Sequence, residues 1–307
     1  MLKRTLFFQS PGFLKLENKQ LCFNVKSCNG NCKKTVPLED IGMIILENPQ
    51  ISITAALMQA LANENIIAVF CDEKHMPASF FSAFSINSTA QKVVQAQLET
   101  TEAVKNRLWK QTVSAKIRNQ AQVLFNNNRP HAERLLRFAD NVKNGDPENM
   151  EGVAARFYFS AVSGTEKFSR DPEGSAPNPA LNYGYAILRA AMARALTGSG
   201  LLCIAGIHHH NQYNPFCLAD DIMEPYRPFV DEEVFSSEFY LNEPELNQEM
   251  KRKLLQLLAA DVMIKGMKRP LMNAMSYTSA SLVRCLCKEQ SVIDYPEFPP
   301  CQTNTRH

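Results

Sequence analysis

The stretch from Gly206 to Asp231, GIHHHNQYNPFCLADDIMEPYRPFVD, gathers residue types that bind cations. Three histidines stand in a row, His208, His209 and His210. Ten residues past the last come Asp220 and Asp221, and then Glu224. Leu218, Ile222 and Met223 alternate with the acids as in an amphipathic turn or two of helix. Asp220 to Glu224 is an i,i+4 step and Asp221 to Glu224 an i,i+3 step. Either places two carboxylates on one helix face, where they repel unless a cation lies between them. Imidazole nitrogen plus carboxylate oxygen suits a divalent metal that works on phosphate or water. A solvated acidic turn behind a histidine-rich loop is the plain alternative, because short acidic runs are common surface features.

A further acid stands upstream. In ENMEGVAARFYFSAV, Glu151 lies near a helix start, where its charge is compatible with the dipole. The segment it opens is apolar, and a buried carboxylate needs a cation or a donor. Gly152, Ala154 and Ala155 are small and leave room for another backbone or a ligand.

Two basic clusters accompany these acids. Lys92, Lys105, Arg107, Lys110, Lys116 and Arg118 surround Trp109, the only tryptophan. Lys251, Arg252, Lys253, Lys265, Lys268, Arg269 and Arg284 form the second. Each reads either as a solvated helix face or as a strip that tracks a phosphate backbone.

Composition narrows the choice. The chain has 307 residues, one large or two ordinary domains, and a net charge of only +2, so any nucleic-acid surface must be local. No GxGxxG and no GxxxxGK[ST] occurs, which argues against nucleotide-driven chemistry. Nine cysteines without a CxxC pair read as reduced thiols of a cytoplasmic protein. The start has too short an apolar run for a signal peptide, and Leu201–Ile207 falls far short of a membrane span.

The elements that must position these residues follow from periodicity. Over residues 1–84 short strands are expected at Arg4–Gln9, Phe13–Leu16 and Gln20–Val25. Buried strands are expected at Ile41–Leu46 and Ile66–Cys71, with a helix between them capped by Ser52 or Thr54. His75 reads as structural or surface. The polar stretch 85–90 reads as a linker. Beyond it the pattern is helical: Gln91–Asn126, Arg134–Val142, the Glu151 segment, a helix from Asn178 to Gly198, Glu245–Lys265 and Leu271–Lys288. Asn182, Tyr183 and Tyr185 on the fourth of these read as hydrogen-bond ties between helices. The fold class is therefore α+β. A small β-rich domain over 1–84 precedes a larger all-helical domain over 91–290, which carries the acids and histidines above, and a loose tail over 291–307.

Taken in order, EGVAARFYF, LNYGYAILR and GIHHHNQYNPFCLADDIMEPYRPFVD resemble the motifs of the CRISPR-associated Cas-one family, the spacer integrase. The β-rich start, linker and helical half resemble that family's layout, so the resemblance covers nearly all the chain. The wording NPFCLADDIMEPYRP most resembles the type II branch. The resemblance implies a metal-dependent DNA endonuclease and integrase. It implies Glu151 (from EGxAAR), His209 (three after Gly206) and Glu224 (from EPxRP) as the catalytic and metal-binding set, with Asp221 the nearby family aspartate. The histidine run departs from the pattern and keeps His208 and His210 as further candidates. Arg227 stands where the family has an arginine after phenylalanine; here Tyr226 precedes it, and its implied role is to partner an acid.

The same resemblance implies Mg²⁺ or Mn²⁺, with the imidazole tilting preference towards Mn²⁺. The substrate implied is double-stranded DNA. A 3′-hydroxyl of a captured fragment would attack a phosphodiester of the repeat, a transesterification that needs no ATP. Lys105, Arg107, Lys110, Lys116, Arg118, Lys251, Arg252, Lys268 and Arg269 are the residues expected to grip phosphates. The partners implied are a second copy of the chain and a Cas-two family dimer flanked by two such homodimers. A non-catalytic DNA-binding scaffold and an unrelated zinc or iron hydrolase remain as rival readings.

Overall fold

A computed structural model describes residues 3–27, 30–83, 87–164, 168, 170–171, 173–242 and 245–300. Its first half holds β1 (Arg4–Phe8), β2 (Gly12–Glu17), β3 (Gln20–Ser27), β4 (Gly30–Pro37), β5 (Ile41–Leu46), β6 (Ile51–Ile53), α1 (Ala55–Asn63), β7 (Ile67–Cys71) and β8 (Pro77–Phe81). One sheet has the order β1-β5-β7-β8, parallel except for β8. The other has the order β4-β3-β2-β6, antiparallel except for the β2–β6 pair. Asn18 and Lys19, both at positive φ, make the tight turn between β2 and β3. Thr54 caps α1 by accepting from the Leu57 amide.

β5 is buried at every position because both faces of its sheet are covered. Ile41, Ile44 and Leu46 join Leu57, Leu61, Ile66 and Ala68 in a small core against α1 and the second sheet. Met43 and Ile45, with Ile67 and Val69, point the other way into the core of the helical half. The two halves thus share one sheet.

The second half holds α2 (Ala90–Leu98), α3 (Glu102–Asn126), α4 (Ala132–Asn141), α5 (Met150–Ser163), α6 (Asn178–Gly198), α7 (Cys217–Met223), α8 (Arg227–Phe235), α9 (Glu238–Asn242), α10 (Gln248–Gln256), β9 (Asp261–Ile264), β10 (Met267–Pro270) and α11 (Leu271–Leu286). A 3-10 turn, Glu224–Tyr226, joins α7 to α8. α3 is the axis of this half. It buries not only Leu108, Trp109, Val113 and Ile117 but also Thr112, Lys116, Asn119 and Gln120. Asn119 donates to the carbonyls of Pro225 (2.8 Å) and Pro296 (3.0 Å), which pins the 3-10 turn to α3.

Three sequence expectations change. The helical stretch Gln91–Asn126 is two helices, broken before Glu102. The helix expected over Glu245–Lys265 stops at Gln256, and the larger half carries a β9–β10 hairpin. The turn of that hairpin is Lys265-Gly266, both at positive φ. The tail expected to be loose from 291 is held as far as Phe298: Ile293 is buried, Tyr295 shares a 2.7 Å hydrogen bond with Thr112, and Phe298 stacks on Phe229. Of the expected linker, 85 and 86 lie outside the described residues, as do 301–307 of the tail. Among the described residues no helix is long and apolar enough to cross a membrane.

Candidate active site

Glu151 owes its place to the start of α5. Asn149, in the left-handed region, caps the helix through the Gly152 amide. The Asp146 carboxylate accepts from the amides of Met150 (2.8 Å) and Glu151 (2.9 Å). The Glu151 side chain is 30% exposed and reaches Lys116 Nζ. Lys116, at 9% exposure, also lies 2.5 Å from Glu224 Oε2, and Glu224 Oε1 lies 2.8 Å from Arg227 Nε. These last two contacts are close but not aligned as hydrogen bonds, so Glu224 Oε2 and Arg227 Nε stay buried without an aligned partner.

The backbone stays helical through Glu224, at the end of α7. Pro225 and Pro228 remove two amide donors, and the chain tightens from α7 into the 3-10 turn at Glu224. Each acid then takes its own partner. Asp220 receives Arg189 (2.6 and 3.1 Å) and the Asn214 amide (2.7 Å). Asp221 turns to the histidine loop. Burial works against the charge on both Lys116 and Glu224. The carboxylates of Glu224 and Glu151 outweigh it at Lys116 and raise its pKa. Arg227 and Lys116 outweigh it at Glu224 and hold its carboxyl below the usual range.

The histidine loop wraps one carboxylate. Asp221 is fully buried; its Oδ2 accepts from the amides of Ile207 (2.7 Å) and His208 (3.0 Å). Its Oδ1 accepts from the His209 amide (3.1 Å) and pairs with His209 Nδ1 (2.6 Å). The loop closes this tightly only around glycine: a Cβ on Gly206 would collide with the His209 carbonyl oxygen and lie 2.9 Å from Asp221 Oδ2. The bond from Asp221 raises the His209 pKa against the opposing effect of burial. His208 instead stacks flat on Trp109, with centroids 4.0 Å apart and planes 2° apart, and burial lowers its pKa. His210 is exposed. The segment bends at Ile207 and His208 rather than running extended, so strand-like alternation does not sort the three rings. The Asp221 bond does.

Behind this layer Arg227 lies over the Tyr185 ring at 4.6 Å, and the Tyr185 hydroxyl donates to buried Asp231. Burial pushes the Asp231 carboxyl up to about 6 despite that bond. Of the expected helix ties, Tyr185 reaches α8 through Asp231, whereas Asn182 accepts from Arg170 of the loop before α6 at 2.6 Å. The buried Tyr183 hydroxyl has no hydrogen-bond partner among the described residues, so it makes no tie. Among the described residues no group of three or more His, Cys, Asp or Glu side chains stands ready to hold a metal. Lys116 Nζ lies between the two glutamates that would contribute.

Sequence reasoning assigns Lys116 to a phosphate-gripping strip; the structure puts it inside the site. The signal was present, since Trp109, Val113, Lys116 and Gln120 fall on one buried stripe of α3. Lys251 is a second correction. It is buried in an ion pair with Glu47 across the two halves of the molecule, because a lysine at 7% exposure needs a carboxylate. The others stay outside. Arg107, Arg118, Arg252 and Lys268 are exposed; Lys105, Lys110 and Arg269 are partly so. Three of them pair with nearby acids, Lys105 with Glu102, Arg118 with Asp140 and Lys268 with Asp261.

Comparison with known proteins meets this geometry. The family model described as CRISPR associated protein Cas1 matches residues 6–250. A CRISPR-associated endonuclease Cas1 of Neisseria meningitidis serogroup C (strain 8013) is 43% identical over 232 residues, spanning 75% of this chain and 74% of the relative. Among solved structures, a casposase bound to integration product superposes with a TM-score of 0.75 at 18% identity, over 96% of this chain and 93% of that one. A chain of a Cas6-RT-Cas1–Cas2 complex does so with a TM-score of 0.70 at 19% identity, over 94% of this chain and 35% of that one. The family match spans both halves of the fold and every residue of the site built above, and on it the chain belongs to the Cas1 family of CRISPR-associated proteins.

Proposed function

We propose that this chain is a cation-dependent DNA integrase that joins captured DNA fragments to a CRISPR repeat by transesterification. In this reading Glu151, His209 and Glu224 hold Mg²⁺ or Mn²⁺. The observation that carries it is the clamp on His209. Asp221 takes Nδ1 and the backbone amide together, which fixes the ring and leaves Nε2 as the free donor. His209 and Glu224 are near enough that each shifts the other's protonation. Two carboxylates and one imidazole suit a divalent first-row ion or Mg²⁺. Glu224 Oε2 already faces a cation, the Lys116 ammonium at 2.5 Å, so in this reading the ion takes over an acceptor that positive charge occupies.

When bound, the cation supplies Lewis acidity towards a phosphodiester oxygen and makes a 3′-hydroxyl or water more acidic. The chain's own residues do the rest. Asp221 keeps the His209 tautomer, Arg227 neutralises part of the Glu224 charge, and Asp146 fixes the backbone that carries Glu151. The likeness to a casposase bound to integration product, and to a chain of a complex that includes Cas2, supports DNA as substrate and a Cas2-family partner. A homodimer, two of which flank a partner dimer, completes the proposed assembly.

The test is an assay with a labelled fragment, a supercoiled repeat plasmid and the Cas2-family partner. Joined product should appear with Mn²⁺ or Mg²⁺ and vanish with chelator. Product that persists in chelator, or hydrolysis of unrelated small substrates by protein carrying stoichiometric zinc, would replace this reading with one of its rivals.

A further inference from the structure

Lys116 stands where the proposed function requires a cation. It sits on the buried stripe of α3, and its ammonium meets Glu151 Oε1 and Glu224 Oε2 at once. Those acids come from α5 and from the Glu224–Tyr226 turn, so one side chain ties two separate elements together. Burying an ammonium is costly, and these two carboxylates are what offsets that cost. They are also the two acids of the proposed ligand set. Carboxylate oxygens close to about 2.0–2.2 Å on a small divalent ion. An ammonium and a divalent cation cannot share one pair of oxygens at such distances, and like charges brought that close repel strongly in a poorly solvated site.

Resting on the ligand assignment above, we propose that Lys116 is an internal competitor for the catalytic cation. Its ammonium holds Glu151 and Glu224 together and must withdraw before both can ligate, so it lowers cation affinity. The two acids differ in access. Glu151 is 30% exposed and Glu224 only 6%, so Glu151 is the side from which the ion enters. Lys116 has a flexible four-carbon stem that can retract without moving α3. This role differs from a phosphate contact, because it is set by the two carboxylates and needs no DNA.

The experiment measures Mn²⁺ binding to the full chain without DNA, by the paramagnetic resonance signal of free Mn²⁺ and by calorimetry. Wild type is compared with Lys116→Met, Lys116→Arg and Glu151→Gln, and with the Lys116→Met/Glu151→Gln pair. Lys116→Met keeps an unbranched stem of matching length up to Cε and removes the ammonium. It should bind Mn²⁺ on the order of tenfold or more tighter than wild type. Lys116→Arg keeps the charge and should not gain affinity. Glu151→Gln should weaken binding in both backgrounds.

If Lys116→Met binds no tighter while Glu151→Gln still weakens binding, the competitor role is overturned and the ligand assignment stands. If Glu151→Gln changes nothing in either background, the ligand assignment falls and this inference falls with it. Should Lys116→Met fail to fold without metal, its melting temperature read against Mn²⁺ carries the same decision. A steeper rise than wild type supports the role, and a slope no steeper overturns it.

Discussion

Asp221 Oδ1 accepts both the backbone amide of His209, at 3.1 Å, and the Nδ1 of the same residue, at 2.6 Å. One oxygen therefore fixes where His209 sits and which way its ring faces. Asp221→Asn should keep the shape but remove the charge and replace one accepting oxygen with an NH2 donor, which then faces N–H groups of the loop. We expect Mn²⁺ affinity and strand transfer to drop by roughly 10–100-fold, the usual cost of losing the acceptor behind a ligating histidine. Calorimetry on the folded variant measures it, and wild-type affinity would detach Asp221 from the site.

The three histidines should separate by function. His209→Ala should abolish joining, whereas His210→Ala, which leaves the Asp221–His209 clamp untouched, should retain most of it. His208→Ala should also keep much of the activity but lose the stack on Trp109, at a cost of about 1 kcal/mol in stability. The only tryptophan then reports the change directly, through its fluorescence in a urea titration. A dead His210→Ala beside an active His209→Ala would move the ligand to the neighbouring ring.

Protonation gives an independent check in metal-free protein. Asp221 raises the pKa of His209, and burial lowers that of His208. The His209 contribution to stability is fully present below the unfolded-state value of about 6.5 and is lost as pH rises through its higher folded value. His208 behaves oppositely, and folding favours its neutral form. Ring resonances followed by NMR should show His209 titrating at the higher pH, and Asp221→Asn should bring it down. A His209 that titrates at or below His208 would contradict the clamp.

The buried pair between the halves should matter for stability and not for DNA. Lys251→Ala leaves Glu47 buried, with Gln9 as a donor at 3.1 Å and exposed His75 at 3.5 Å as its other neighbours. A loss of about 3–5 kcal/mol is expected for breaking such a pair from one side. Lys251→Met with Glu47→Gln should recover most of it. The salt dependence of DNA binding should be the same in wild type and in the paired variant; a shallower slope would return Lys251 to the phosphate contacts.

These predictions rest partly on what the chain spells out and partly on what only folding reveals. The α+β division is legible because β5 and β7 are unbroken apolar runs while α4 and α10 carry a helical period. β4 is not legible, because Cys32 to Thr35 are exposed on an edge strand and carry no alternation of apolar residues. The spacing of Gly206 to His209 points to the clamped ring, and the steric need for glycine there gives the spacing its reason. The spacing of Asp220, Asp221 and Glu224 marks three acids on one short helix but not that each takes a different partner, Arg189, the His209 loop and Lys116. Lys116 hides among basic neighbours, since charge counting cannot tell a solvated lysine from one facing two carboxylates of distant elements. Lys251 hides the same way, because its partner Glu47 stands in the other half of the chain.

The central claim is that Glu151 and Glu224 serve chemistry rather than folding. The most direct measurement is strand transfer by Glu151→Ala and Glu224→Ala, run beside circular dichroism and DNA binding on the same preparations. The account predicts no joined product from either variant in Mn²⁺, with helical signal and DNA affinity near wild type below the melting transition. Glu224→Ala should melt earlier, because it leaves Lys116 and Arg227 short of a buried partner. Joined product at the wild-type level from either variant, with the fold intact, would contradict it.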